Sequence, residues 1–223
     1  MRSRKTADGQ RYISQARNRR RLENSGSFDI KPVGRPYGGL LPDLAKDPKL
    51  ASFKLSAAAA LAPKSKGALN IEGLCATPEG HLLLGFRNPI PQGKALIVPL
   101  LNPGELISGQ HARFGSPILL ELGGFGIRSI AASSGKYLIV AGSYDNDCQS
   151  VLYEWNGGEN QPRRLERAEL FGLNPEAIEF FQDGDTERLL VVSDDGAMLV
   201  GSKPCKQLKD PKQKSFRAVT LDF

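Results

Sequence analysis

One pattern occurs three times along this chain and constrains it more than any composition figure. NIEGLCATPEGHLLLGFRN (70–88), GIRSIAASSGKYLIVAGSY (126–144) and NPEAIEFFQDGDTERLLVVSDDG (174–196) share an order of features. A charged residue comes first, then small or apolar residues, a turn, and a short apolar run that ends in polar residues. The charged positions are Glu72, Arg128 and Glu176, at intervals of roughly fifty residues. A period near that length with several strands per unit is the signature of propeller blades rather than of solenoid turns. The apolar runs LLLGF, KALIVPL, ILLEL, KYLIVAG, SVLYEW, RLLVVS and AMLVGS carry strand composition, and PEG, SSG, NGG, QDGD and DDG between them carry turn chemistry. Long helical periodicity is absent. The expectation is an all-β, propeller-like body with a short helical patch near 55–62. A β-sandwich is the runner-up, since short strands and frequent turns suit it equally. The charge recurring at one point of each unit favours the propeller.

That recurrence also defines a candidate site. The innermost strand of a blade lines a central channel, and its first residues sit at the channel mouth. An ionic group there stays hydrated while Leu74, Ile130 and Ile178, just beyond it, pack between sheets. Arg87 and Asn88 follow the outgoing strand of the first hairpin and return to the same end. The expected ligand-binding residues are therefore Glu72, Arg87, Asn88, Arg128 and Glu176. Glu72, Glu176, Asp194 and Asp195 offer oxygens suited to Ca²⁺, which takes six to eight such ligands. Arg87 and Arg128 suit a bidentate clamp on phosphate or carboxylate. The structural alternative pairs Glu72 with Arg128 and Glu176 with Arg87 between blades, and reads Asp194-Asp195-Gly196 as a type I′ hairpin turn.

At 223 residues and 40% hydrophobic, the chain fits one domain, or a domain with an arm. The expected organisation is a basic arm at 1–30, a Pro/Gly/Lys-rich surface connection at 31–66, and blades at 67–223. The apolar run LSAAAALA (55–62) is far shorter than the roughly 20 residues a membrane span needs. With no leader pattern, a cytoplasmic location is the default. Cys75, Cys148 and Cys205 are widely separated and form neither a disulfide framework nor a zinc signature. Residues 1–24 hold eight Lys/Arg and two Asp/Glu, so the whole net charge of +6 resides in the arm and the body is balanced. RNRRR (17–21) lies beside Tyr12 without further interleaved aromatics. A solvated basic segment is thus favoured over a nucleic-acid interface. No G-x-S-x-G elbow, phosphate loop, H-E-x-x-H or EF-hand loop occurs. YDNDC (144–148) starts like a calcium loop but lacks the glutamate at its twelfth position. His81 and His111 have no spaced partners and read as surface residues.

GALNIEGLCATPEGHLLLGFRNPIPQGKALIVPL, LGGFGIRSIAA and NPEAIEFF with LLVVSDDG together resemble the bacterial family called domain of unknown function 3616, from Gly67 to the C-terminus. The resemblance implies a propeller-like fold akin to the phytase-like esterase and SdiA-regulated propellers. RSRKTADGQRYISQARNRRRL (2–22) resembles a mid-chain stretch of that family that follows a Ser-His pair. On this reading the chain is an incomplete propeller whose upstream blades are missing; the alternative is a natural short form with a disordered arm. Three units are too few to close a ring, and open strand edges invite self-association. Two function classes follow. One is a non-catalytic module that binds a small ligand or a protein through the channel mouth. The other, by analogy with the phytase-like propellers, is a calcium-dependent hydrolase of phosphoesters or other esters.

Overall fold

The structure, a computed structural model, describes residues 31–145, 150–166 and 172–222. The expectations for the basic arm 1–30, and those resting on the end of YDNDC, lie outside the described residues. Strands β1 (Asn70–Ala76), β2 (Leu82–Asn88), β3 (Ala95–Leu100) and β4 (Ile118–Leu120) form an antiparallel meander in that order. A second meander repeats it with β5 (Gly126–Ser133), β6 (Lys136–Gly142), β7 (Ser150–Trp155) and β8 (Arg163–Leu165). After β9 (Pro175–Asp183) and β10 (Thr186–Ser193) comes a small separate ribbon, β11 (Leu199–Val200) with β12 (Lys203–Pro204). β13 (Ala218–Asp222) then completes a third sheet ordered β13-β10-β9. The protein is thus mostly β, with four antiparallel sheets, none of them closed. No described helix is long and apolar enough to cross a membrane.

The three units of the sequence are the three hairpins β1-β2, β5-β6 and β9-β10. Each turn ends on a glycine with positive φ: Gly80 (83°), Gly135 (79°) and Gly184 (63°). This is backbone that side-chain-bearing residues rarely adopt. Alternation along each strand sends successive side chains to opposite cores. From β2 and β3, Leu82, Leu84, Phe86, Leu96, Val98 and Leu100 point to one face, while Leu83, Ala95 and Ile97 join Ile139 and Ala141 of β6 on the other. Leu138 and Val140 of β6 face Ile178, Leu189 and Val191 of the third sheet. Central strands buried on both faces must be apolar throughout, which explains why β2 and β6 read as unbroken hydrophobic runs. Consecutive sheets therefore pack face to face, β1 and β2 on β5, and β5 on β9. This is a series of three sheets with a core in each gap, not the two-layer sandwich of the runner-up reading.

The stretch 31–66 was expected to run over the surface, and part of it does not. Helices α1 (Leu40–Lys46) and α2 (Leu55–Ala59), with a 3-10 turn at Pro48–Phe53 between them, cover the outer face of the first sheet. Leu44, Leu50, Leu55 and Ala58 are buried there. Burying a leucine contributes roughly 1.5–3 kcal/mol, enough to dock so short a helical layer. The Pro, Gly and Lys residues that made this segment look like a linker lie on its outer side and at its turns. AMLVGS, expected as a strand of the body, supplies only the two-residue β11. Met198, Leu199 and Val200 there are exposed because no sheet face covers them.

Candidate functional site

The register of the three hairpins explains how a charge can open an otherwise apolar strand. In β1, Ile71 pairs with Phe86 and Gly73 with Gly85, so Glu72 has no partner. In β5, Ile127 pairs with Ala141 and Ser129 with Val140, which leaves Arg128 over. In β9, Pro175 pairs with Ser193 and Ala177 with Val192, which leaves Glu176 over. All three recurring charges are the extra residue of a β-bulge. A bulge places two residues opposite one and re-aims the side chain out of the strand's alternation. The ionic group is thereby turned away from the core while its neighbours stay in it. Because each bulge lies at the start of a first strand, beside the end of the second, all three occupy the same end of their sheets.

Two arginines at this end each reach into the following sheet. Arg87, at the end of β2, is only 5% exposed. Its Nη1 donates to both carboxylate oxygens of Glu72 at 3.0 and 3.1 Å, Nε to the carbonyl of Ser143 at 2.8 Å, and Nη2 to the carbonyl of Asp145 at 2.7 Å. The Ser143 hydroxyl bonds the Asp145 carboxylate at 2.6 Å, which ties the loop that presents these carbonyls. Asn70 Nδ2 adds a bond to Glu72 Oε1 at 2.9 Å. Arg128, also 5% exposed, donates from Nη1 to Asn174 Oδ1 at 2.7 Å and from Nη2 to Glu176 Oε2. Its Nε is buried with no hydrogen-bond partner among the described residues.

The ion pairs are therefore Glu72–Arg87 and Glu176–Arg128, not the exchanged partners expected from sequence. The reason is geometric. The bulge turns Glu72 toward the end of its own hairpin, where Arg87 lies, and turns Arg128 toward the start of the next. The guanidinium groups are buried rather than hydrated at a channel mouth. Those of Arg87 already hold carbonyls and a carboxylate, so Arg87 is a structural tie more than an anion clamp. Asn88 is 1% exposed and its Nδ2 bonds the carbonyl of Ser65 at 2.7 Å; it anchors the 60s segment instead of facing solvent.

The carboxylates divide in the same way. Asp195 is buried and accepts from the Ser193 hydroxyl at 2.7 Å, and from Arg217 N, Nε and Nη2 at 2.7, 2.9 and 2.8 Å. The Arg217 guanidinium, ahead of the opposing effect of burial, holds its carboxyl well below the usual range. Asp194 Oδ1 accepts from the Gly196 N–H at 2.9 Å in an Asx turn. The φ of Gly196 is not positive, so the expected type I′ hairpin is absent at this point. Glu176 remains 43% exposed at its side chain. Asn174 links it to Asp194 by donating from Nδ2 to the Asp194 carbonyl at 3.2 Å. The outward-facing acceptors of this belt are accordingly Glu176 and Asp194, at the junction of the second and third sheets. No group of three or more metal-ligating side chains is assembled among the described residues.

Sequence reasoning missed Asn174, Asn70, Arg217 and the Ser143–Asp145 loop. A signal existed for two of them, since Asn70-Ile71-Glu72 and Asn174-Pro175-Glu176 are the same Asn-x-Glu step in two units. His111, exposed as a surface residue, has a partner across the fold: its Nδ1 lies 2.9 Å from Asp43 Oδ1. Asp43 also accepts from the Ala112 N–H at 2.8 Å and from the Tyr37 hydroxyl. Burial first and Asp43 second push the Tyr37 phenol up to about 12. This cluster ties α1 to the 107–115 loop, far from the bulges.

No curated protein matches the chain. The family described as "Protein of unknown function (DUF3616)" matches residues 34–200, so that the helical layer and all three bulged hairpins fall within the match, and the chain belongs to that family.

Proposed function

We propose that this protein is a non-catalytic, propeller-like binding module, and that the bulged end of its sheets is the face that meets a ligand or protein partner. The propeller reading is supported by the repeated meander, by first strands that pack on one another from sheet to sheet, and by the bulge at one position of every unit. The observation that carries the functional reading is the contrast among the carboxylates. Glu72 and Asp195 are paired with guanidinium groups and largely buried. Glu176 stays 43% exposed although Arg128 holds one of its oxygens, and Asp194 is exposed beside it, the two joined through Arg128 and Asn174. That arrangement presents fixed acceptors to a ligand bearing N–H, O–H or cationic groups.

The calcium-dependent hydrolase alternative asks more of the same residues. It needs clustered carboxylates on a cation and a base to activate water. Three of its four carboxylates, Glu72, Glu176 and Asp195, would first have to give up their arginines. The test is a thermal-shift screen of small molecules and peptides, run on the wild type and on Glu176→Gln/Asp194→Asn. Calcium is one arm, and p-nitrophenyl phosphate and acetate are assayed in parallel. The binding reading expects a stabilising ligand whose effect disappears in the double variant, with no ester turnover. Calcium-dependent turnover that is lost in the double variant would replace it with the hydrolase.

A further inference from the structure

At the end of the sheets opposite the bulges, the second and third sheets part into a groove of about 410 Å³. The register of the second sheet explains the opening. Val140, Leu152 and Leu165 form one row on the face that the third sheet covers. The next row on that face, Leu138, Glu154 and Arg163, runs out into the groove. Its size lies within the range of small-molecule sites, about 300–1,000 Å³.

The lining is organised by charge. Leu138, Leu165 and Phe180 make an apolar floor. On the wall of the second sheet, Lys136 Nζ and Arg163 Nη2 converge on Glu154 at 3.3 and 3.2 Å, although their side chains are 55% and 69% exposed. Glu154 thus holds two cations in place while each keeps unused N–H groups. On the wall of the third sheet stands Glu187, whose Oε2 accepts from the Ser133 hydroxyl. An ordered cation pair faces a carboxylate across an apolar floor.

We propose that this groove binds a small zwitterion with an apolar body, of the size of a hydrophobic amino acid or dipeptide. The ligand's carboxylate meets Lys136 and Arg163, its ammonium meets Glu187, and its side chain covers Leu138, Leu165 and Phe180. A phosphate would bring its charge against Glu154 and Glu187. A purely apolar ligand would strip water from both walls without replacing it, which is unfavourable. The site is separate from the bulged end, and its test does not depend on the reading given for that end.

The experiment is calorimetric titration of the full chain with L-phenylalanine and L-leucine, alongside phenylacetate, which lacks the ammonium, and phenethylamine, which lacks the carboxylate. The amino acids are expected to bind at one site, and each single-charge analogue about tenfold more weakly, as loss of one charge-assisted contact implies. Arg163→Gln should weaken L-phenylalanine and phenylacetate but leave phenethylamine unchanged; Glu187→Gln should weaken L-phenylalanine and phenethylamine but leave phenylacetate unchanged. Arg163 is a surface residue, so its variant keeps the wild-type melting temperature. Absence of amino-acid binding, or an affinity for L-phenylalanine that Arg163→Gln does not change, overturns the proposal.

Discussion

The gap between the first and second sheets and the gap between the second and third are built from the same repeat, yet they are closed differently. In the first gap, Gly73 and Gly85 sit opposite each other and leave a hollow for Ile127: a Cβ on either glycine would stand 2.7 Å from Ile127 Cγ2. Gly126 lies closer still, where a Cβ would be 1.9 Å from the carbonyl oxygen of Arg87. Over this dry contact Arg87 satisfies all three of its nitrogens. In the second gap Ser129 and Val140 replace the glycine pair. The Ser129 hydroxyl accepts from the Ile178 N–H at 3.3 Å, Arg128 keeps one orphan N–H, and the far end opens into the groove. The repeat supplies the same bulge twice, and the residue beside it decides whether the sheets lock or stay apart. A locked gap gives rigidity, and a looser one leaves polar groups for a ligand.

The largest effect should therefore come from Arg87. Arg87→Ala removes a buried cation and leaves Glu72 and two loop carbonyls without their donor, an arrangement that typically costs about 3–5 kcal/mol. Chemical denaturation read by near-ultraviolet circular dichroism would measure it. A cost below that of the corresponding change at Arg128 would break the comparison between the two gaps.

Next come the glycines. Gly73→Ala forces a methyl group into Ile127, and overpacking of this kind costs about 1–3 kcal/mol. The double variant Gly73→Ala/Ile127→Ala should cost less than the sum of the two single changes, because alanine at 127 lacks the Cγ2 that fills the hollow. If the two costs simply add, the glycine pair serves some purpose other than admitting Ile127.

Arg128→Ala should be milder, at about 1–2 kcal/mol, because Glu176 is half exposed and regains water when its partner leaves. Its second consequence sharpens the functional contrast. Protection of third-sheet amides from hydrogen exchange should fall, while that of the first two sheets holds. Uniform loss across all three sheets would mean that the second gap is no looser than the first.

The repeat, the strands of the body and the end on which its charges gather were legible because period-2 alternation and glycine turns are local signals. KYLIVAG and SVLYEW coincide with β6 and β7 residue for residue. Pairing was not legible. Whether Glu72 meets Arg87 or Arg128 depends on a bulge, and a bulge is a property of two strands in register, visible in one strand only as a charge out of place. Of the helical layer only the patch expected near 55–62 was legible, and it is α2 (Leu55–Ala59); the rest was hidden for another reason. Leu44, Leu50 and Leu55 fall in three separate short helical segments, so no single amphipathic period connects them. β13 escaped because its alternation, Val219 and Leu221 inward with Thr220 outward, spans too few residues to stand out from a loop.

The smallest expected effect concerns neither gap, and it isolates them from the third sheet's own closure. Asp195 joins the end of β10 to the start of β13 through Arg217. Its carboxyl titrates well below the usual range in the folded protein, against about 3.9 in an unfolded chain. A folded-state value below the unfolded one means that the unfolded chain binds the proton more readily. The contact therefore contributes its full stability above about pH 4 and loses it progressively as the pH falls further. Asp195→Asn should lower the melting temperature at pH 7 by less than Arg128→Ala does, since Arg217 is nearly half exposed and remains hydrated. Between pH 5 and pH 2.5 the variant should then lose less stability than the wild type. Parallel pH profiles for the two proteins would show that acid loosens the third sheet by a route other than Asp195.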